Sequence, residues 1–243
     1  MKKLIRSLPL VALLTSLMAC QSNGPRDPYA GMSAEDIYAE GVSALKSGNY
    51  SKAATTFEGL ESHFPYGEYG EKAQLGAIYA YYKSEESGSA LAASDRFIRY
   101  HPRHPDVAYA YYIRGLTQFD ELFAFPARYL PIDPARRDVE SADAAFEDFA
   151  VLIKRYPNNP YAYDARQRMV YLKAILASNE LFAADYYMRR HAYMAAATRA
   201  DYVIANYQGT PQQYKALDVL EGAYRDLDLN DLADDVVKVK QSQ

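Results

Sequence analysis

Residues 48–65 read GNYSKAATTFEGLESHFP, and the spacing inside this stretch decides the fold. Gly48–Asn49 is a turn signal, and the residues after it run as a helix that Pro65 brings to an end. Ala53 is small, and Phe57 stands one helical turn further on, so both fall on one face. Upstream, Ser33 followed by Glu35 and Asp36 marks another helix start, an oxygen cap with acids over the positive dipole end. That preceding helix carries Gly41. The reading is a helical hairpin in which Gly41 and Ala53 let two backbones approach, while Phe57 fills the gap toward a third helix.

The punctuation recurs in SHFPYGEYGEKA, RYHPRHPDVAYAYY, RYPNNPYAYDA and NYQGTPQQYKA. Each segment ends a helix on an aromatic residue or His, turns through Pro or Gly, and begins another helix. Residues 34–65 resemble the tetratricopeptide repeat (TPR), a helix–turn–helix unit of about 34 residues with small residues between its helices. A second unit ends at Pro102 with Ala90 twelve residues before it, but its aromatic has moved to Phe97. A third ends at Pro157, with Ala145 and Phe149 twelve and eight residues before it. Tyr193 and Ala196 match Tyr50 and Ala53 in a fourth unit, and Ala233 is the small residue of a fifth. The alternative is a generic helical bundle.

The step from Pro102 to Pro157 is 55 residues, about twenty more than a TPR unit needs. The surplus is DELFAFPARYLPIDPARRD, Asp120–Asp138, with Phe123, Phe125 and Tyr129 among its prolines. It joins a helix over about 106–119 to one over about 141–156. Residues 161–190 read as one long helical stretch, with Ser178–Asn179 the place for a bend. No alternating β-branched run is present. The expected fold is all-α, a TPR-like α-solenoid of about five hairpins and ten helices over residues 33–243. Its N-terminal half covers about 33–119, the loop 120–138, and the C-terminal half about 139–243.

The only cysteine, Cys20, lies directly behind an apolar run. Lys2, Lys3 and Arg6 precede LPLVALLTSLMA, a segment too short to span a bilayer, for which about 20 apolar residues are needed. Such a segment reads as a secretory signal, residues 1–19. LMAC, Leu17–Cys20, resembles the lipobox of bacterial lipoproteins, which implies a covalent lipid on Cys20 and a flexible tether over 20–32. The alternative is an ordinary secretory signal with an incidental cysteine. Gln21 after the cysteine, by the same resemblance, favours the inner leaflet of the outer membrane, facing the periplasm. Removing Lys2, Lys3 and Arg6 takes the formal charge from −4 to −7, which argues against nucleic acid as a partner.

Catalytic patterns are sparse. His63, His101, His104 and His191 are scattered, and no HExxH, GxSxG or phosphate-loop pattern appears. Ser43–Lys46 matches S-x-x-K without its companion motifs. No cofactor is expected apart from the lipid. The unusual feature is 24 tyrosines beside no tryptophan. Many are grouped, as in Tyr79, Tyr81 and Tyr82 or Tyr109, Tyr111 and Tyr112. Adjacent residues cannot share one helix face, so some rings in each group point away from the first core contact. Tyrosine suits extended-peptide binding, and a groove is expected at Tyr66, Tyr69, Tyr79 and Tyr82 with Arg96 and Arg99.

Taken together, the lipobox, the tether, GNYSKAATTFEGLESHFPYGEY, AFEDFAVLIKRYPNNPYAYDA and ADYYMRRHAYMAAATR resemble the BamD family of outer-membrane lipoproteins. The resemblance covers nearly the whole mature chain. It implies a non-enzymatic scaffold of the β-barrel assembly machinery. Its implied partners are the periplasmic repeats of a BamA-like barrel insertase, companion assembly lipoproteins, and unfolded outer-membrane barrel proteins. AATRAD aligns with a family segment whose arginine pairs with an acid on the insertase, a role carried to Arg199 alone. Two other readings share parts of this pattern: a TPR pilot lipoprotein for a pilus or secretin, and a periplasmic cell-wall enzyme.

Overall fold

A computed structural model describes residues 27–124 and 129–242. The lipobox, Cys20, most of the tether and Phe125 lie outside the described residues. Ten α-helices follow in order: α1 Ala34–Lys46, α2 Tyr50–His63, α3 Glu68–Lys83, α4 Ser87–Tyr100 and α5 Val107–Glu121, then α6 Glu140–Arg155, α7 Ala162–Arg189, α8 Tyr193–Asn206, α9 Pro211–Asp226 and α10 Asn230–Gln241. A 3-10 turn, Pro134–Arg136, lies between α5 and α6. No strand occurs among the described residues, and none of these helices is long and apolar enough to cross a membrane. Ser33 caps α1 by accepting from Asp36 N at 3.2 Å, and Asn49 caps α2 by accepting from Lys52 N at 3.2 Å. These short polar caps satisfy amide groups that the first helical turn leaves without a partner.

Each helix packs on the next, giving five antiparallel hairpins in an all-α, TPR-like solenoid. The hairpin is set by a ring on a glycine. Phe57 of α2 is fully buried, and a Cβ on Gly41 of α1 would come within 2.5 Å of its ring. A Cβ on Gly76 of α3 would come within 2.7 Å of the same ring, so Phe57 is gripped from both neighbouring helices. Phe149 of α6 repeats this against Gly115 of α5. The second hairpin exchanges the volumes. Eight residues before Pro102 stands Ser94, fully buried and donating to Ala90 O at 2.7 Å, while Ile78 takes the place of Gly41. Phe97 is therefore not a displaced Phe57. It occupies the position of Leu60 and Leu152, five residues before each terminal proline.

The turn inside the hairpin is also repeated. Gly48, Glu85, His191 and Asp228 all adopt positive φ, between 58° and 75°. In each case the following amide bonds back across six residues: Asn49 N to Ala44 O at 2.9 Å, Glu86 N to Tyr81 O at 3.0 Å, Ala192 N to Tyr187 O at 3.0 Å, and Leu229 N to Tyr224 O at 2.9 Å. This is a Schellman closure, which turns the chain sharply while satisfying the last carbonyls of the first helix. Only the third hairpin lacks it, because the insertion stands there.

The insertion is docked rather than loose where it is described. Asn179 Nδ2 donates to Ala135 O at 2.9 Å, and the Arg136 guanidinium lies 4.2 Å over the Phe182 ring. Helix α7 is continuous through Ser178–Asn179, and Asn179 uses its side chain to hold the insertion. This helix joins two core segments, giving Leu172, Ile175 and Leu176 to the central one and Ala177 and Leu181 to the C-terminal one.

Residues 27–32, read from sequence as the end of the tether, lie against α2. A Cβ on Gly59 would come within 2.2 Å of the Tyr29 ring, and Asp27 Oδ2 accepts from His63 Nε2 at 2.6 Å. His63 Nδ1 lies 2.8 Å from Gly59 O. Both ring nitrogens thus face acceptors, and only the imidazolium carries two N–H groups. The Asp27 hydrogen bond, followed by that of Gly59, raises the His63 pKa above its ordinary 6.5. The Tyr29 amide and then His63 lower that of Asp27 below 3.8.

The fold carries two expectations. Gly41→Ala drives a methyl into Phe57 and should cost about 1–3 kcal/mol; urea unfolding of Gly41→Ala, Phe57→Leu and the pair should show strong non-additivity. For the Asp27–His63 clasp the raised histidine contributes below pH 6.5 and is lost as pH rises through its folded value. The lowered aspartate contributes above pH 3.8 and is lost as pH falls through its own. NMR titration should show His63 titrating above 6.5, with the Tyr29 resonances moving at the same midpoint. Asp27→Asn should bring that midpoint down.

Candidate functional site

The first helices of neighbouring hairpins pack directly, α1 on α3, α3 on α5 and α7 on α9, whereas neighbouring second helices make no comparable packing. The layer of first helices is accordingly the shorter, inner side of the solenoid. Between α5 and α7 the backbones stand further apart, and long side chains fill the gap. Tyr112 and Tyr161 stack at 4.6 Å, and Tyr109 meets Tyr161 at 5.6 Å. Phe119 packs on Tyr171 at 5.9 Å, and the Arg168 guanidinium lies 4.7 Å over the Phe119 ring.

Two tyrosine–carboxylate rungs cross this layer. Tyr82 on α3 donates to Asp120 Oδ2 on α5 at 2.8 Å, and Tyr112 on α5 donates to Asp164 Oδ2 on α7 at 2.8 Å. Arg168 Nε donates to the same Asp164 oxygen at 2.6 Å. Burial first, and then the Asp164 hydrogen bond, push the Tyr112 phenol up to about 12. Burial and Asp120 raise Tyr82 in the same way. Both phenols therefore stay protonated and donate. Beside the first rung lies an open cleft of about 720 Å³, lined by Tyr82, Ser87, Thr117, Asp120, Phe123 and Tyr129 among others. A face of rings, phenol donors, carboxylates and one guanidinium can hold an extended chain by stacking and hydrogen bonding.

The six residues expected to line one groove do not come together. Tyr79 and Tyr82 belong to the inner layer. Tyr69, in the first turn of α3, meets Tyr38 at 5.6 Å, and Tyr66 is 91% exposed in the α2–α3 turn. Arg96 and Arg99 are on α4, a second helix, so they lie in the outer layer. Arg96 Nη2 donates to Glu61 Oε2 on α2 at 2.8 Å, and Arg99 is exposed. The residues that complete the inner face, Asp120, Asp164 and Arg168, were not singled out from sequence. Their signal was spacing: Tyr161, Asp164 and Arg168 follow at three and four residues, one stripe of a helix.

Arg199 is exposed on α8, and its Nη1 donates to Glu180 Oε2 on α7 at 2.8 Å. Met194 and Tyr202, 60% and 47% exposed, flank it on the same helix. The four histidines are taken up locally. His101 and His104 pack on Phe97 at 4.9 and 5.2 Å, and His191 Nδ1 lies 2.7 Å from the Tyr193 hydroxyl. Ser43 and Lys46 are exposed on α1. Among the described residues no group of three His, Cys, Asp or Glu side chains is placed to hold a metal ion.

Comparison with known proteins adds identity to this geometry. The family described as YfiO, outer membrane lipoprotein, matches residues 30–239. The outer membrane protein assembly factor BamD of Neisseria meningitidis serogroup B is 42% identical over 246 aligned positions, covering 100% of this chain and 91% of its own. BamD of Vibrio cholerae is 39% identical, covering 90% of each chain, and BamD of Xylella fastidiosa is 35% identical, covering 96% of this chain and 80% of its own. A lipoprotein-family match over the whole solenoid, with relatives aligned nearly end to end, establishes that the chain belongs to the BamD family of outer-membrane lipoproteins.

Proposed function

We propose that this protein is a non-enzymatic scaffold of outer-membrane β-barrel assembly, held on the inner leaflet of the outer membrane through a lipid on Cys20. Membership of the BamD family supports the machine, since its relatives carry the name assembly factor. The observation that carries the docking role is the exposed pair Arg199 and Tyr202, one turn apart on α8, beside Glu180. An exposed arginine next to an exposed tyrosine is the composition of an interface anchor. This face would receive the periplasmic repeats of the barrel insertase, with Arg199 leaving or sharing Glu180 for an acid on the partner.

The inner layer would receive unfolded barrel proteins as extended segments. Its rungs at Tyr82–Asp120 and Tyr112–Asp164 offer rings for stacking and donors and acceptors for a peptide backbone. This moves the expected groove from the Arg96–Arg99 side to the α3–α5–α7 side. Companion lipoproteins would attach on the surfaces that remain.

Two outcomes check this reading. Arg199→Glu should weaken binding to the purified periplasmic repeats of the insertase by about 2 kcal/mol or more if the contact is desolvated; calorimetry on both proteins measures it, and an unchanged Kd would move the interface elsewhere. Cys20→Ala should yield a folded protein that no longer fractionates with membranes. Unchanged fractionation would contradict the lipid anchor.

A further inference from the structure

The clasp at the start of the folded body limits where a lipid surface can be. It fixes Asp27 to His63, the last residue of α2, through a 2.6 Å hydrogen bond, and seats Tyr29 on Gly59. Seven peptide steps separate Cys20 from Asp27. At about 3.3–3.6 Å per step, an anchor at Cys20 lies within about 25 Å of Asp27. Were the body to begin at Ser33, the reach would be about 45 Å.

What lies beside the clasp is an edge of exposed aromatic and basic groups. Phe64, Tyr66 and Tyr100 are 36%, 91% and 70% exposed. Arg99 and Arg103 are exposed among them. The α2–α3 and α4–α5 turns both meet the first turn of α3, so they form one edge. A Cβ on Gly70 would come within 2.7 Å of Phe64 O, while Glu71 faces His101 at 3.6 Å and His104 at 3.5 Å. Of the acids at this edge, Glu71 faces those histidines and Glu68 pairs with Lys72 at 2.5 Å, while Asp106 stays exposed 4.0 Å from His104. Tyrosine favours the headgroup layer, with its ring toward the acyl chains and its hydroxyl toward water, and arginine pairs with phosphate.

We propose that this edge rests on the lipid surface that holds the protein's own anchor, with Tyr66 and Tyr100 entering the headgroup layer and Arg99 and Arg103 meeting lipid phosphates. The proposal rests on the Cys20 anchor proposed above. It makes the clasp an orienting device, because a body held within that reach presents the α2–α5 turn edge to the membrane and not its C-terminal hairpins.

The absence of tryptophan gives a clean test. Tyr66→Trp and Tyr100→Trp each place one reporter on the edge, and Tyr214→Trp, at a 57% exposed position on α9, is the distant control. The lipidated full chain is reconstituted into vesicles of phosphatidylethanolamine and phosphatidylglycerol carrying brominated acyl chains. Flotation reads the anchor, and fluorescence quenching reads the edge. The expected result is flotation of all three, with quenching at positions 66 and 100 about twofold or more above that at 214. Flotation with no excess quenching at 66 and 100 overturns the edge contact and leaves the anchor standing. Failure to float overturns the anchor, and the edge contact with it.

Discussion

A phenylalanine ring seated on a glycine backbone is the contact from which the solenoid is built. Phe57 lies between Gly41 and Gly76 at distances that leave no room for even a methyl group, and Phe149 repeats the seat on Gly115. Removing the ring from water is worth about 1.5–3 kcal/mol, but its larger effect is geometric. Bare backbone on one helix lets the next approach closely, and the ring then sets the separation. Where this seat occurs, in the first and third hairpins, it fixes how neighbouring helices sit, since interiors packed at near-crystalline density deform little. The exchange at Ile78 and Ser94 shows that total volume is the constraint, and which helix supplies it is free.

The inner layer departs from this close packing at one place. Between α5 and α7 the small-residue packing gives way to stacked tyrosines, carboxylates and Arg168. The Tyr112–Asp164 hydrogen bond crosses this gap, and Arg168 on α7 donates to the same carboxylate oxygen. The docked half of the insertion braces α7 from its middle through Asn179 and Arg136. Thus the helix that joins the halves is contacted both by α5 and by the insertion.

The repeat could be read from sequence because its marks are chemically scarce: Gly41, Ala53, Phe57 and Pro65 each do something few residues can. The Schellman turns were hidden, because three of the four left-handed positions carry Glu85, His191 and Asp228 where glycine would have announced them. The six residues expected in one groove are divided between layers for a related reason. Tyr66, Arg96 and Arg99 are near in sequence to Tyr79 and Tyr82, yet the hairpin sends α3 and α4 to different layers. Composition gives nearness along the chain, and only the alternation of helices tells which side of the solenoid a residue faces. The insertion could be delimited by its excess length, but its docking on Asn179 had no sequence mark beyond a polar residue in the middle of a long helix.

The most direct test of the account is to purify the tagged, lipidated protein from native membranes in mild detergent and to identify by mass spectrometry the chains that come with it. The account predicts recovery of a large outer-membrane barrel protein with periplasmic repeats, together with smaller lipoproteins. Recovery of secretin or pilus components in their place would keep the solenoid and contradict its assignment to barrel assembly.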